Sequence, residues 1–301
     1  KAIDFSKNSN KETFINLKSN GSKKVYLIMF ALTLILVKYF RIQPEKIIFI
    51  SASSFLVYNY ILKPNKNFES FQSSIPKKLI QTYYDKSRIP DKVFSNIKKF
   101  APDYEQIIFD DNDITQFLRK YFNSSVIETF NKLKGAHKAD LFRYCYMYKF
   151  GGVYLDIKTE LVMPLNKIFD KNYTYTVISI VKDSIYQGII ASLPENPIFL
   201  KLIHFMIELV RNKVPSLHVP REYIIFTIDF WNKIKEETGA NPKPGENVNI
   251  TNSHFNYYLF KEGCTTNKED CYDGLDKHKM CCNVYDNGKR IIKTRYSDFP
   301  W

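Results

Sequence analysis

A chain of 301 residues that is 45% hydrophobic and 16% aromatic has the apolar material for one large or two small cores, which excludes wholesale disorder. Lys and Arg number 44 against 31 Asp and Glu, a formal charge of +13 that admits nucleic acid, anionic lipid or a phosphorylated small molecule as partner. Residues 1–70 hold eleven basic and four acidic side chains around the two most apolar stretches, whereas the other 231 carry +6 with no dense Lys/Arg run, a pattern that fits a membrane and not nucleic acid.

Residues 1–22 form a polar tail. Val25 to Phe40 is apolar apart from Thr33 and Lys38 and is flanked by Lys23, Lys24 and Arg41; Ile47 to Leu62 is a second apolar stretch, broken from the first by Pro44. Together, residues 23–62 read as a membrane anchor of one or two helices. Each stretch is shorter than the roughly twenty residues of a spanning helix, a deficit that snorkelling Lys and Arg and interfacial Tyr offset. Either both cross as a hairpin, or one crosses and the other lies in the interface. Residues 63–74 (KPNKNFESFQSS) turn polar and read as a linker.

From residue 75 to 301 strands and helices alternate. The pattern predicts strands at Lys78 to Tyr83 and Glu105 to Phe109, with a helix around Asp91 to Phe100 between them. Helices follow near Ile114 to Phe122 and from His137 to Phe150, where Gly151-Gly152 ends the helix and Val153 to Leu155 begins a strand. Tyr175 to Val181 and Tyr186 to Ser192 read as strands. Asn196-Pro197 introduces a helix from Ile198 to Asn212, and Asp286-Asn287-Gly288 marks a hairpin turn. Such alternation predicts an α/β sheet, and no Gly-rich phosphate loop is present.

The segment richest in chemistry is Lys134 to Glu160. Asp140 and Arg143 are three apart and share a helix face, while Leu141, Tyr144, Cys145 and Tyr148 are expected to form an apolar stripe toward the sheet. Asp156 follows the next strand, at the edge where open α/β sheets bind ligands. A carboxylate there, followed by Lys158, Thr159 and Glu160, suits a hard divalent cation bridging a diphosphate. The plainer alternatives are a helical ion pair for Asp140 and Arg143 and a turn cap for Asp156.

The runs ADLFRY and GGVYLD resemble the core of the DXD-containing sugar transferases of glycosyltransferase family thirty-two. That group includes initiation-type alpha-1,6-mannosyltransferases, sphingolipid mannosyltransferases and capsular polysaccharide enzymes. Similar segments run from Ile75-Pro76-Lys77 through Pro102-Asp103-Tyr104 and Tyr186-Gln187-Gly188 to the closing stretch ending at Trp301. The resemblance implies a GT-A, Rossmann-like domain, a UDP- or GDP-sugar donor, a Mn2+ or Mg2+ ion, retention of anomeric configuration, and a glycan, polysaccharide or glycolipid acceptor. By position it puts Asp140 and Arg143 on the donor sugar and its phosphate, Tyr154 and Trp301 on the donor side, and Gln187 on the acceptor side. It makes Asp156 the first Asp of the DXD motif.

The second Asp is absent: the motif reads Asp-Ile-Lys, with Lys158 in its place. Four explanations stand. Asp156 alone holds the metal with diphosphate and water; Glu160 or Asp298 completes the shell; Lys158 takes over part of the cation's work by neutralising phosphate; or the chain is an inactive sugar-nucleotide- or glycan-binding relative.

Cys145 lies on the expected apolar stripe and reads as a core thiol. Cys264, Cys271, Cys281 and Cys282 crowd into nineteen residues with spacings that match no common zinc module, and disulfides are expected among them, with connectivity open. Disulfides, together with Asn-x-Ser/Thr sites at Asn20, Asn123, Asn172 and Asn249, suggest a lumenal catalytic domain, in the Golgi or endoplasmic reticulum of a eukaryotic host.

Overall fold

The computed structural model describes residues 74–212, 224–241, 243, 247–250, 256–265 and 281–295. The expected polar tail and membrane anchor lie outside the described residues, as does all of the linker except its last residue. Among the described residues no helix is long and apolar enough to cross a membrane.

Strand β1 (Lys78–Thr82) buries Leu79, Ile80 and Gln81 in succession, the continuous burial expected of a strand covered on both faces. Helix α1 (Asp91–Phe100) starts after Pro90 and buries Val93 and Ile97, one helical turn apart. Strand β2 (Glu105–Phe109) leads into α2 (Asp111–Tyr121), whose first turn is closed by a reciprocal capping box between Asp110 and Asp113. Helices α3 (Ser124–Lys132) and α4 (Ala136–Phe150) precede β3 (Gly152–Leu155), and β4 (Glu160–Leu161) and α5 (Leu165–Ile168) follow it. Beyond come β5 (Thr174–Ile178), β6 (Ile185–Ser192), α6 (Pro197–Arg211) and α7 (Ile225–Thr238). The chain closes with β7 (Val248–Ile250), β8 (Tyr257–Thr265), β9 (Cys281–Asp286) and β10 (Lys289–Lys293).

These strands form one mixed sheet in the order β2-β1-β3-β6-β5-β8-β9-β10-β4, with β7 added beside β8. The α/β expectation holds. Strands β2, β1 and β3 are parallel, whereas β6 runs antiparallel to β3 with Leu155 opposite Ile189. That reversal places the start of β6 beside the end of β3, so residues 186–188 arrive next to Asp156.

Helix α4 departs from the single apolar stripe expected of it. His137 and every residue from Asp140 to Met147 are buried, because both sides of the helix are covered. Phe142 and Tyr146 pack on Phe109 and Phe117, while Tyr144 meets Phe199 of α6 and Phe230 of α7. Asp140 and Arg143 are therefore interior groups, not groups on an exposed edge.

The helix ends where only glycine fits. Gly151 has φ 62° and ψ −155°, and a Cβ there would stand 2.6 Å from Ser192 O and Pro194 N; one on Gly152, at φ 101°, would stand 2.8 Å from Lys78 O. β3 is thereby drawn tightly between β1 and the end of β6.

Strand β5 is shorter than the expected Tyr175 to Val181. The backbone turns at Ser179, whose amide meets Ser184 O at 3.1 Å, and Asp183 takes a positive φ of 55°. Ile180 and Val181 are apolar but exposed at this hairpin tip, so hydrophobicity alone overran the strand. The Asp286-Asn287-Gly288 turn is as expected, with Asn287 and Gly288 both at positive φ.

Cys264 and Cys282 are directly paired across β8 and β9 and joined by a disulfide. Cys271 lies outside the described residues. Cys145 is a free, buried thiol, and burial raises its pKa well above the usual range.

Candidate active site

Parallel strands β1, β2 and β3 all end on one edge of the sheet, so Tyr83, Asp110 and Asp156 emerge there together. The Asp156 backbone is fixed at both ends: its amide donates to Gly188 O at 2.8 Å, and its carbonyl accepts the Thr159 amide at 2.8 Å, closing a turn through Ile157 and Lys158. The Asp156 side chain is partly exposed, with 23% of its surface open.

Arg143 ties the site together. Its Nη2 lies 3.2 Å from Asp140 Oδ1 and 3.4 Å from Asp156 Oδ1, Nε donates to Ala139 O at 3.3 Å, and Nη1 donates to the Gln187 carbonyl. The guanidinium also lies over the Tyr154 ring, 4.5 Å from its centroid. Burial opposes its charge, but the surrounding Tyr154, Asp140 and Asp156 outweigh that cost and drive its pKa further above the ordinary value. This cation stays charged at every accessible pH.

The carboxylates are oriented from several sides. Asp140 Oδ2 lies 3.1 Å from His137 Nδ1. Tyr154 Oη donates to Asp156 Oδ1 at 3.2 Å and lies 3.1 Å from Thr82 Oγ1. Burial first, and Asp156 after it, raise the Tyr154 pKa, so the hydroxyl remains a donor. Near Asp156 Oδ2 the space is closely bounded, because a Cβ on Gly188 would stand 2.6 Å from that oxygen and 2.5 Å from Tyr186 Oη. The Tyr186 pKa is raised well above normal, by burial and then by Asp156 and Glu262.

The structure brings Asp140, Arg143, Tyr154, Asp156 and Gln187 into one connected cluster. Gln187 is buried and receives the Tyr144 hydroxyl on its Oε1, so in this conformation it faces the helix. Lys158 sits, half-buried, as the third residue of the Asp156–Thr159 turn. Glu160 is held elsewhere, its carboxylate 3.0 Å from Lys293 Nζ on β10. Asp298 and Trp301 lie outside the described residues. Sequence reasoning missed His137, Thr82, the tight approach at Gly188 and the buried carboxyl of Asp229. Of these only His137 left a local signal, its three-residue spacing from Asp140.

Asp156 is a poor nucleus for a protein-held cation. Its Oδ1 is already shared by a guanidinium and a tyrosyl hydroxyl, its neighbour at the motif's second position is a lysine, and Glu160 is engaged by Lys293. Among the described residues the one grouping of three metal-type side chains is Glu262, Cys264 and Cys282, far along the sheet order from β3, and its two sulfurs are joined to each other. These residues do not fit the paired-carboxylate cation site that the resemblance implied.

This sheet edge thus holds an Asp-Arg-Asp cluster in which Asp140 and Arg143 are buried and Asp156 is partly exposed. Residues 90–175, which contain Asp140, Arg143 and Asp156, match the family model of the glycosyltransferase sugar-binding region containing the DXD motif. Over these residues the chain is similar to the sugar-binding region of the DXD-containing glycosyltransferases.

It is 24% identical over 214 residues, 67% of this chain and 82% of the relative, to an uncharacterized glycosyltransferase of Acanthamoeba polyphaga mimivirus. It is 29% identical over 104 residues to inositol phosphoceramide mannosyltransferase 3 of Schizosaccharomyces pombe, covering 34% of this chain and 28% of that one. Over 115 residues it is 29% identical to the initiation-specific alpha-1,6-mannosyltransferase of Saccharomyces cerevisiae, covering 35% and 24%. The matches thus span about a quarter of each yeast enzyme. Among solved structures, PaToxG glycosyltransferase superposes with a TM-score of 0.42 at 14% identity, covering 62% of this chain and 78% of that one.

Proposed function

We propose that this domain is of the GT-A type and transfers a hexose, with mannose the first candidate, from a UDP- or GDP-sugar to a glycan, polysaccharide or glycolipid acceptor. The observation that carries this reading is the Asp140–Arg143–Asp156 cluster at the sheet edge, with Asp140 and Arg143 buried and Asp156 partly exposed. An exposed i,i+3 pair contributes a few tenths of a kcal/mol, but these side chains are 5% and 8% exposed, and burying such a pair costs about as much as it returns. A charged cluster retained inside an otherwise aromatic helix layer is better explained by a polar ligand than by stability.

In this reading Asp140 and Asp156 accept hydrogen bonds from sugar hydroxyls and orient the ring as it gains oxocarbenium character. Arg143 holds the two carboxylates apart in a fixed geometry and offers positive potential to the departing phosphate. Tyr84, 59% exposed beyond β1 and contacted by Arg88, supplies an aromatic surface suited to a nucleobase. Retention of configuration, a membrane anchor within residues 23–62 and a lumenal site belong to the same proposal. The Cys264–Cys282 disulfide supports the last of these.

The experiment is a screen of UDP- and GDP-sugars for hydrolysis and transfer by the full chain, beside Asp140→Ala and Asp156→Ala. Turnover lost in both variants supports the enzyme reading. A donor that binds equally well to all three proteins without turnover would replace it with that of a sugar-nucleotide-binding relative.

A further inference from the structure

We propose that Thr82 and Tyr154 are positioning residues for the donor site: their hydroxyls form a one-way relay that commits Asp156 Oδ1 to the protein and leaves Oδ2 as the oxygen that receives the donor sugar. This rests on the glycosyltransferase reading above and deepens it. Register, proton count and the inequality of the two Asp156 oxygens all lead to it.

Ile80 pairs with Tyr154 across the parallel strands β1 and β3. Thr82 and Asp156, each two residues further on, therefore stand on the same face of the sheet and nearer its ligand-binding edge. The Tyr154 side chain reaches forward between them, its Oη 3.1 Å from Thr82 Oγ1 and 3.2 Å from Asp156 Oδ1. Arg143 covers the ring from α4, 4.5 Å from the centroid, and Tyr154 as a whole is buried. Strand and helix together hold the hydroxyl where it is.

A carboxylate only accepts hydrogen bonds, and a tyrosyl hydroxyl has one proton to give. That proton goes to Asp156 Oδ1, so the Tyr154 oxygen can only accept from Thr82, and the Thr82 hydroxyl proton is thereby directed at Tyr154. The relay runs in one direction, Thr82 to Tyr154 to Asp156, and each link polarises the next. Branching at Cβ restricts the Thr82 side chain to few rotamers, which suits it as the fixed end of the chain.

The two oxygens of Asp156 are then unequal. Oδ1 takes Tyr154 and, at 3.4 Å, Arg143 Nη2, whereas Oδ2 meets no hydrogen-bond donor among the described residues. With 23% of the side chain open, Oδ2 is the oxygen left for a sugar hydroxyl. A carboxylate pinned through one oxygen presents the other in a single orientation, and that preorganisation serves the transition state more than the bound donor.

The test is steady-state transfer by the full chain with the sugar nucleotide that turns over in the donor screen. Wild type is compared with Tyr154→Phe, Thr82→Val, Thr82→Ser and the double variant Thr82→Val/Tyr154→Phe, each with its denaturation midpoint measured alongside. Tyr154→Phe should lower kcat about thirtyfold with the donor KM within about twofold. Thr82→Val should lower kcat about fivefold, and Thr82→Ser, which keeps the hydroxyl, should retain most of the wild-type rate. Because Thr82 acts through Tyr154, the double variant should be no slower than Tyr154→Phe. Single-variant losses that multiply in the double variant overturn the relay and leave the transferase reading intact, as does wild-type turnover in Thr82→Val. A loss in Thr82→Val that Thr82→Ser shares has the same consequence. A wild type that neither binds nor turns over any sugar nucleotide removes the transferase reading and this inference together.

Discussion

Gly188 and Asp156 are fitted to one another: the Gly188 carbonyl receives the Asp156 amide at 2.8 Å, while a Cβ on Gly188 would stand 2.6 Å from Asp156 Oδ2. The same Cβ would stand 2.5 Å from Tyr186 Oη. Gly188→Ala must therefore displace the carboxylate, the tyrosine or the strand. A shift approaching 1 Å in a reacting group costs about a hundredfold in rate, and that is the loss expected in donor turnover. Removing the obstructing hydroxyl in the double variant Gly188→Ala/Tyr186→Phe should restore part of it. Turnover at the wild-type level in Gly188→Ala would show that the Asp156 carboxylate is not held where transfer needs it.

Arg143 contacts two carboxylates, a backbone carbonyl on β6 and an aromatic face, which no other side chain reproduces. Arg143→Met leaves the buried Asp140 carboxylate and the partly exposed Asp156 carboxylate without their guanidinium and is expected to cost about 3 kcal/mol of stability, read as a lower denaturation midpoint. Arg143→Lys keeps the charge but loses the fork and the stacking on Tyr154. It should fold better than the Met variant yet bind donor at least about tenfold more weakly than wild type. Equal donor affinity in the Lys variant would reduce Arg143 to a structural ion.

Much of this arrangement is legible in the sequence because it is local. The elements Asp91–Phe100, Glu105–Phe109, Ala136–Phe150 and Gly152–Leu155 follow closely from glycines and periodicity, whereas helix Ser124–Lys132 is not anticipated, and the runs ADLFRY and GGVYLD carry Asp140, Arg143 and Asp156 within seventeen residues. What is not legible is set by packing between distant segments. Whether Asp140 and Arg143 are exposed depends on α6 and α7 closing over α4. The inward turn of Gln187 depends on Tyr144, and the constraint at Gly188 exists only once Tyr186 and Asp156 meet. Apolar residues at the Ile180–Val181 turn gave the opposite error, since hydrophobicity there is not accompanied by strand pairing.

The Cys264–Cys282 disulfide closes a span of 18 residues between β8 and β9. Constraint of the unfolded chain over a loop of that size is worth about 3 kcal/mol. The Cys264→Ser/Cys282→Ser variant should unfold at lower temperature by several degrees, and reductant should lower the wild type toward it without moving the variant. Asp140, Arg143 and Asp156 lie on other elements, so donor affinity below the unfolding transition should be unchanged. Insensitivity of the wild-type midpoint to reductant would remove the disulfide as a stabilising element.

Asp229 on α7 is buried with Oδ2 lacking a hydrogen-bond partner, and it adds to the raised pKa of Tyr144, the residue that holds Gln187. Burial is the main cause of a carboxyl pKa pushed up to about 6; Glu236 raises it further and Lys233 works the other way. The folded state therefore binds this proton more tightly than the unfolded chain, whose ordinary value is 3.8. Stability from this group is fully present below pH 4, declines as pH rises, and is gone above about pH 6, a loss on the order of 2 kcal/mol. Asp229→Asn, which keeps the shape without the charge, should be more stable than wild type at pH 7.5 and lose that advantage near pH 4. Denaturant titrations at the two pH values decide the matter: an identical pH dependence in variant and wild type would show that Asp229 is ionised in the fold without cost. The same substitution should leave the geometry of Tyr144 and Gln187 in place, so wild-type turnover of the variant at neutral pH is expected.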